Sequence, residues 1–499
     1  MISLEKLLIL VIVCPIAMAL FASFAHGFFI PWFISLLSSI IVLVLVLFLY
    51  LEYKGKVLLY SVGGWNPPYG IGLRLDPLGI IMLFLINIIL LSTVIHSWST
   101  IRNDLPSNRF NIFYCILLIF AAGMSGIVVS DDLFNIYVFL EITALSTYTL
   151  IACGNKKQSL IAAFDYLVMG TLGSTFYLLG LGFLYAKTGT LSLPEMSASL
   201  PHNAGNISSV IVGVALIIVG LSVKSAIFPM HTWIVEAYSC APHSFVVILA
   251  GIGTKINLYV MLQVLFRLFS VHLLSRIGVD KALIISSSLG VLVCSVIASQ
   301  SKDLRRIFAN SSIAQIGYII ICAVINTKLS LTAAIIHMLS HALAKSALFM
   351  VASNISNSNN HQSLSKKGLN LLLFMDYLVF FLSTASIIGL PFTVGFISKW
   401  VILKSALLSS NYLAVFSVIV GSIIGLFYFW QALQYVFYEV DANTHNTNTM
   451  SKTTAFNLFL VPSYLPPIFL ALLLILLGFF GSSLISGVAE AVRLASWCS

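Results

Sequence analysis

Charge is scarce in this chain. Only 8% of its 499 residues are Asp, Glu, Lys or Arg, against about 25% in an ordinary soluble domain. That scarcity excludes a soluble multidomain enzyme. Length alone would suggest about three soluble domains, but that prior does not hold at this composition: 60% of the residues are apolar and the mean hydropathy is +1.05. Cysteine is sparse as well. The residues at 14, 115, 153, 240, 294, 322 and 498 form no CxxC and mostly lie in apolar runs, so a disulfide framework, a zinc site or an iron–sulfur cluster is not expected. Neither GxxxxGK[ST] nor GxGxxG occurs, so direct binding of ATP or NADH, and a cofactor generally, is not expected. Long polar stretches are missing too. The longest, at 52–72, 186–206, 355–372 and 439–455, are too short for an independent soluble domain. The net charge of +9 comes from basic residues set singly or in pairs between apolar runs, without interleaved aromatics. They read as loop charges at a membrane surface and not as a nucleic-acid footprint.

Apolar sequence is abundant. A helix needs ~20 apolar residues to cross a bilayer. Fourteen stretches qualify, near 7–25, 29–51, 73–97, 112–130, 132–153, 161–185, 207–230, 242–268, 281–299, 306–325, 329–354, 373–397, 411–438 and 463–485. The fold class is therefore an all-α polytopic membrane protein. The first stretch follows Glu5-Lys6 and lacks a small-residue cleavage site, so it reads as a span and not as a removed signal. Basic residues divide almost evenly between the two sets of loops. The compact groups Lys156-Lys157, Lys302 with Arg305-Arg306, and Lys366-Lys367 sit in short loops on one side, which favours termini outside.

Four lysines fall in or beside predicted spans: Lys224, Lys255, Lys345 and Lys399. Each would cost about 2.5–3.5 kcal/mol at the centre of a membrane helix. A desolvated lysine can lose its proton, whereas arginine effectively cannot, so a series of lysines suits proton transfer. Glu141 is equally out of place, mid-helix in Asp132-Leu-Phe-Asn-Ile-Tyr-Val-Phe-Leu-Glu141. A neighbouring lysine would let both ionise and would couple their titrations. The plainer alternative is a structural ion pair pinning two helices. Lys224 precedes Phe228-Pro229-Met-His231-Thr-Trp233, and Pro229 implies a helix break whose freed carbonyls need water or protein partners. A snorkelling lysine is the alternative there. Lys255 follows Gly251 and Gly253, small residues that permit close helix approach. His337, His341 and Lys345 are spaced by four and share one helix face, which suits a relay better than three separate core residues. Gly389-Leu-Pro391 through Gly395 to Lys399 predicts a second broken helix, matching the first. Interrupted helices at matching places in two halves point to an inverted-repeat transporter. Among weaker candidates, Asp165 either pairs with a lysine or sits at the interface. Glu236 and Tyr238 fall in the loop after the seventh span and cap it. His231 and His243 are separated by Pro242 and lack metal-ligand spacing.

At these residues the chain resembles the antiporter-like membrane subunits: the large D-type polypeptide of Mrp-type cation/proton antiporters and the proton-pumping M and N polypeptides of respiratory complex I. Besides the stretches quoted above, Asp303-Leu-Arg305-Arg306 with Gln315-Ile-Gly317-Tyr318, and His337-Met-Leu-Ser-His341-Ala-Leu-Ala-Lys345, carry the likeness. It covers about 60–440. Gly63-Gly64-Trp65 through Pro68-Tyr-Gly70 to Asp76 looks more like the Mrp D branch. The resemblance implies fourteen helices with breaks in helices 7 and 12. It places helices 1–3 in 1–110, two inverted five-helix units in 111–268 and 269–440, and helix 14 in 441–499. It assigns Glu141 and Lys224 as the ion pair, with Lys255, His337, His341, Lys345 and Lys399 as the water-linked relay. It implies a member of a multisubunit Na+/H+ antiporter in a bacterial inner membrane, working with other integral membrane subunits. The alternative is a proton-pumping component of an NADH:quinone oxidoreductase. The chain departs from the family pattern at Trp233-Ile-Val-Glu236, which lacks a proline, at Pro391-Phe-Thr-Val-Gly395-Phe396, and at Asp165, where a basic residue is usual.

Overall fold

The computed structural model describes residues 4–53, 57–155, 157–200, 207–269, 274–275, 277–357, 366–444, 463–495 and 497. Lys156 and Cys498, named above, lie outside them, as do the side chains of Lys366 and Lys367. Among the described residues, eleven helices are long and apolar enough to cross a bilayer, or twelve with the bent pair Leu465–Phe479 and Gly481–Ala495. Spans 7 and 12 complete the fourteen as interrupted helices. Their first halves are Ile207–Lys224 and Lys366–Ile388, each followed by a break and a second half-helix. Among the described residues the fold is helical apart from a two-stranded hairpin, β1 (Leu58–Ser61) with β2 (Gly72–Leu75); β2 takes the first residues of the predicted third span, whose helix starts only at Pro77.

Burial sorts the spans into a core and a lipid-facing rim. Spans 10 (Leu304–Ile325) and 11 (Lys328–Ser356) are 94% buried across their apolar windows, and span 8 (His243–Leu268) is 89% buried. Spans 1, 2 and 6 are only 33% buried. The rim presents Phe21, Phe48, Leu160, Ile161 and Phe183 outward, as a surface solvated by lipid tails requires. The central helices instead carry Lys255, His337, His341 and Lys345, so the least accessible helices hold the costliest side chains.

Spans 6 (Lys157–Thr188) and 7 pack backbone against backbone through two glycine pairs spaced by seven. A Cβ on Gly220 would fall 2.5 Å from the Gly173 carbonyl oxygen, and one on Gly180 would fall 2.6 Å from that of Gly213. Small residues let membrane helices approach this closely, which brings the end of span 7 beside spans 5 and 6. Gly220→Val is therefore expected to overpack the contact at a cost of about 1–3 kcal/mol. Thermal unfolding of the purified protein in lipid checks this, and an unchanged midpoint would contradict it.

The two breaks differ in detail from the sequence reading. The helix of span 7 ends at Lys224 and resumes over Thr232–Cys240, with Ala226 at a positive φ of 55° in the gap. Glu236 and Tyr238 thus lie in the second half-helix and not in a capping loop, because the chain re-forms a helix as soon as Pro229 is passed. Span 12 runs Lys366–Ile388, turns at Gly389 with φ of 90°, and resumes over Val394–Leu408. Lys399 lies inside that second half, 7% exposed, and not beyond the end of the span. Gly395 faces the Ser386 carbonyl so closely that no Cβ fits.

Span 8 departs from regular geometry without any proline inside it: five-residue π-helical turns occupy Leu249–Gly253 and Val264–Leu268. The last span bends by 87° at Phe480, and Gly478 packs on the Phe392 backbone of the span 12 turn. The terminal helix Gly481–Ala495 buries Val488, Ala491, Val492 and Ala495 and exposes Glu490 and Arg493, an amphipathic pattern suited to the membrane boundary. Its far end is fastened by buried Trp497, whose Nε1 donates to Asp76 Oδ2 at 2.8 Å, and by Arg74 Nη2, which donates to the Ala495 carbonyl at 3.1 Å.

Candidate functional site

All four lysines singled out from the sequence are buried: Lys224 at 6% exposure, Lys255 and Lys345 at 0%, and Lys399 at 7%. None snorkels. Lys224 Nζ lies 3.1 Å from Glu141 Oε1 in span 5 (Leu133–Ala152). The Ser174 hydroxyl of span 6 donates to the same carboxylate oxygen. The pair therefore joins spans 5, 6 and 7 at the point where span 7 stops being helical.

The interruption leaves carbonyls that side chains satisfy. Asn257 Nδ2 donates to the Lys224 carbonyl at 2.8 Å, and Trp233 Nε1 donates to that of Val223 at 3.0 Å. Trp233 in turn meets the Tyr166 ring edge-on at 4.9 Å. Two adjoining cavities open around these groups. One is lined by Lys224, Val223, Gly170 and Leu140, the other by Leu249, Gly253 and Ile256, and both share Thr143, Tyr166, Trp233 and Asn257. The second reaches the π-helical turn just before Lys255. The two cavities meet at a shared wall of Thr143, Tyr166, Trp233 and Asn257, between Lys224 and span 8.

Lys255 Nζ donates to the carbonyl of Ala250, which lies in that π-turn. The widened turn offers a backbone acceptor to an ammonium that has no carboxylate beside it. Gly251, as its small size implied, lets span 11 approach: a Cβ there would collide with the Ser346 hydroxyl. Lys255 lies within electrostatic range of Lys345, His341 and His337, and Lys399 within range of His337. His337 and His341 face each other with ring centroids 6.4 Å apart. His337 Nδ1 meets Ser398 Oγ at 2.9 Å, next to Lys399. Neither ring nitrogen of His341 has a hydrogen-bond partner among the described residues. A buried imidazole so placed can exchange a proton on either edge.

Lys345 Nζ donates to the Phe308 carbonyl at 2.8 Å and to Ser311 Oγ at 2.5 Å, and it faces the Phe308 and Phe429 rings. Lys399 Nζ donates to the Ile388 carbonyl at 3.0 Å and to Ser422 Oγ at 2.9 Å. Ile388 is the last residue before the span 12 break, so the second interruption supplies an acceptor to the second lysine of the series placed at a break. Neither lysine has a carboxylate partner among the described residues.

Three weaker candidates stand apart. Asp165 is exposed on the outer face of span 6 and forms no ion pair among the described residues. Span 6 turns its glycine face inward and leaves Asp165 beside the exposed Ile161 and Phe164. Glu236 pairs with Arg306 at 3.1 Å, both about half exposed. His231 stacks on Phe228 at 5.2 Å and faces Cys294 Sγ at 3.9 Å. No cluster of metal-ligating side chains occurs among the described residues.

The sequence reading missed the hydroxyl and amide partners Ser174, Asn257, Ser311, Ser398 and Ser422, which carry no signal until the helices are placed. It also missed one buried arginine. Arg267 is paired with Asp131 at 2.5 Å, their side chains 7% and 10% exposed. A permanently charged guanidinium suits a fixed structural bridge. Asp376, a second intramembrane carboxylate, lies inside the predicted twelfth span and is buried.

The model of the NADH:quinone oxidoreductase/Mrp antiporter transmembrane family matches residues 130–425, which include the ion pair, the histidines and both breaks. The chain belongs to this family. It is 32% identical over 443 residues to NADH-quinone oxidoreductase subunit N of Desulforudis audaxviator, covering 88% of this chain and 87% of that protein. It is 26% identical over 396 residues to the D component of the Na(+)/H(+) antiporter of Alkalihalophilus pseudofirmus, covering 79% and 78%. Among solved structures, a chain of the membrane-bound sulfane sulfur reductase, an archaeal respiratory membrane complex, superposes with a TM-score of 0.86 at 24% identity over 98% of this chain and 97% of that one. The same membrane fold thus recurs in proteins whose names point to different chemistries.

Proposed function

We propose that the chain is the proton-translocating subunit of a multisubunit monovalent cation/proton antiporter, with sodium as the cation and a bacterial inner membrane as its setting. One observation carries the reading. The Glu141–Lys224 pair at the break in span 7 is continued by buried Lys255, His341 and His337 to Lys399 at the break in span 12. The relatives named as D components of Na(+)/H(+) antiporters support it over most of the chain's length. In this scheme 111–268 and 269–440 are two inverted units, each holding one broken helix. Protonation of the Glu141–Lys224 pair changes the field at Lys255, which passes its proton through His341 and His337 toward Lys399. Lys345 completes the charged stripe of span 11. The flow is coupled to cation movement elsewhere in the complex.

A second reading has its own observation. The 32% identity to the oxidoreductase relative exceeds the 26% identity to the antiporter relative, and the same relay would pump protons when driven by NADH:quinone electron transfer in partner subunits. Everted vesicles carrying the intact complex separate the two. The first reading predicts that sodium added to respiration-acidified vesicles alkalinises the lumen. Proton pumping that depends on NADH oxidation by co-purifying flavin and iron–sulfur subunits, with no response to any monovalent cation, would overturn it in favour of the second.

A further inference from the structure

A buried polar chain joins spans 3, 11 and 12 and takes no part in the lysine line. His96 lies in span 3 (Pro77–Asp104), Asn354 near the end of span 11, and Asp376 in the first half of span 12. Their exposures are 0%, 4% and 3%. His96 Nε2 is 3.2 Å from Asn354 Oδ1, and Asn354 Nδ2 donates to Asp376 Oδ1 at 3.0 Å. The same Nδ2 is 3.4 Å from the Ser463 carbonyl. That second acceptor fixes the amide, because its oxygen turned that way would face two other oxygens. His96 Nε2 must then be the donor in its bond to Oδ1.

The amide consequently presents its positive end to the carboxyl group and its negative end to the imidazole. This orientation stabilises a carboxylate with an imidazolium as well as a neutral acid with a neutral ring. The other ring nitrogen, His96 Nδ1, makes no hydrogen bond among the described residues, with the Met350 carbonyl near it, and Tyr464 from the last span is the further titratable group facing Asp376. No Lys or Arg pairs with Asp376 among the described residues. A lone carboxylate at this burial would have to stay neutral; a histidine one amide away gives its proton a second place to reside. His96 is eight residues from the end of span 3, about 12 Å along the helix axis, on the side of the membrane that carries the compact basic groups.

We propose that His96, Asn354 and Asp376 form a second proton-binding station, separate from the lysine line and holding one proton shared across the amide. Uptake of a proton from water converts carboxylate plus neutral imidazole into the neutral pair or its carboxylate–imidazolium form, and release reverses this. The station links the first three helices to the second five-helix unit and the last span.

Infrared difference spectroscopy of the intact, lipid-reconstituted complex, titrated with acid after carbon-13 labelling of histidine, tests the assignment. In the parent protein one carboxylic-acid band and one imidazole band should change together with a single midpoint. Asp376→Asn should remove that carboxyl band and displace the imidazole midpoint. His96→Gln should remove the imidazole band and displace the carboxyl midpoint. Asn354→Leu should split the shared midpoint into two. A spectrum in which Asp376→Asn leaves every pH-dependent carboxyl band in place, or in which Asn354→Leu leaves the midpoints together, overturns the proposal. If Asp376→Asn does not assemble, the other two variants decide it. The readout does not require transport, so it stands or falls independently of the antiport reading.

Discussion

Lys224→Ala is expected to abolish proton movement by the complex, and Glu141→Gln to reduce it about tenfold or more, the equivalent of at least ~1.4 kcal/mol on the limiting barrier. The asymmetry follows from what each change leaves behind. Lys224→Ala strands a carboxylate whose remaining side-chain partner is the Ser174 hydroxyl, in a site where the lysine is 5% and the glutamate 25% exposed at the side chain. Breaking a buried ion pair by removing one partner costs about 3–5 kcal/mol, and the partial exposure of Glu141 places the cost at the lower end. Glu141→Gln keeps the shape and a hydrogen-bonding group, and the buried lysine it leaves unpaired can relieve the cost by losing its proton, so the protein should still assemble while losing transport. The double variant Glu141→Gln/Lys224→Met should recover stability relative to Lys224→Ala without recovering transport, because the two side chains act as one unit. Sodium-driven pH change in everted vesicles, with melting of the purified complex in parallel, checks all three. Parent-level transport in either single variant would remove the pair from the proton path.

Lys399→Met should be as severe at the other end. Its ammonium links the Ile388 carbonyl, freed by the span 12 break, to Ser422 of span 13, and it adjoins Ser398, the partner of His337. Replacing it with an apolar chain of similar length leaves the packing largely intact and removes the group that follows His337. The expected result is loss of proton movement by about tenfold or more, with little change in melting temperature. A large melting shift with transport preserved in the surviving protein would mean that Lys399 only braces the elbow.

The sequence made the costly residues visible because hydrocarbon penalises them wherever they stand, so Glu141 and the lysines announce themselves without any knowledge of neighbours. The two breaks were equally legible, since Pro229 and the Gly389–Gly395 segment cannot continue a regular helix. The π-turns of span 8 were not. Leu249–Gly253 contains no proline, and the segment packs through Gly251 against Ile89 of span 3 and Ser346 of span 11, neighbours that only the fold supplies. The apolar run ends at 397, short of Lys399, while the helix, restarted at Val394, runs on to Leu408. Helix rotation decides between the two readings of Asp165: Gly173 and Gly180 face span 7, and Asp165 lies exposed beside Ile161 and Phe164. His96 and Asp376 fall in different predicted spans, and only the fold shows that Asn354 joins them.

The proposed relay requires proton exchange at buried lysines and not merely their positive charge. Lys255→Arg measures that distinction most directly, because arginine keeps the charge and effectively never gives up its proton. Cation-driven proton flux in vesicles carrying assembled Lys255→Arg complex should fall as far as in Lys255→Met. Flux near the parent level with arginine, alongside its loss with methionine, would mean that a fixed charge suffices at this position and would contradict the relay.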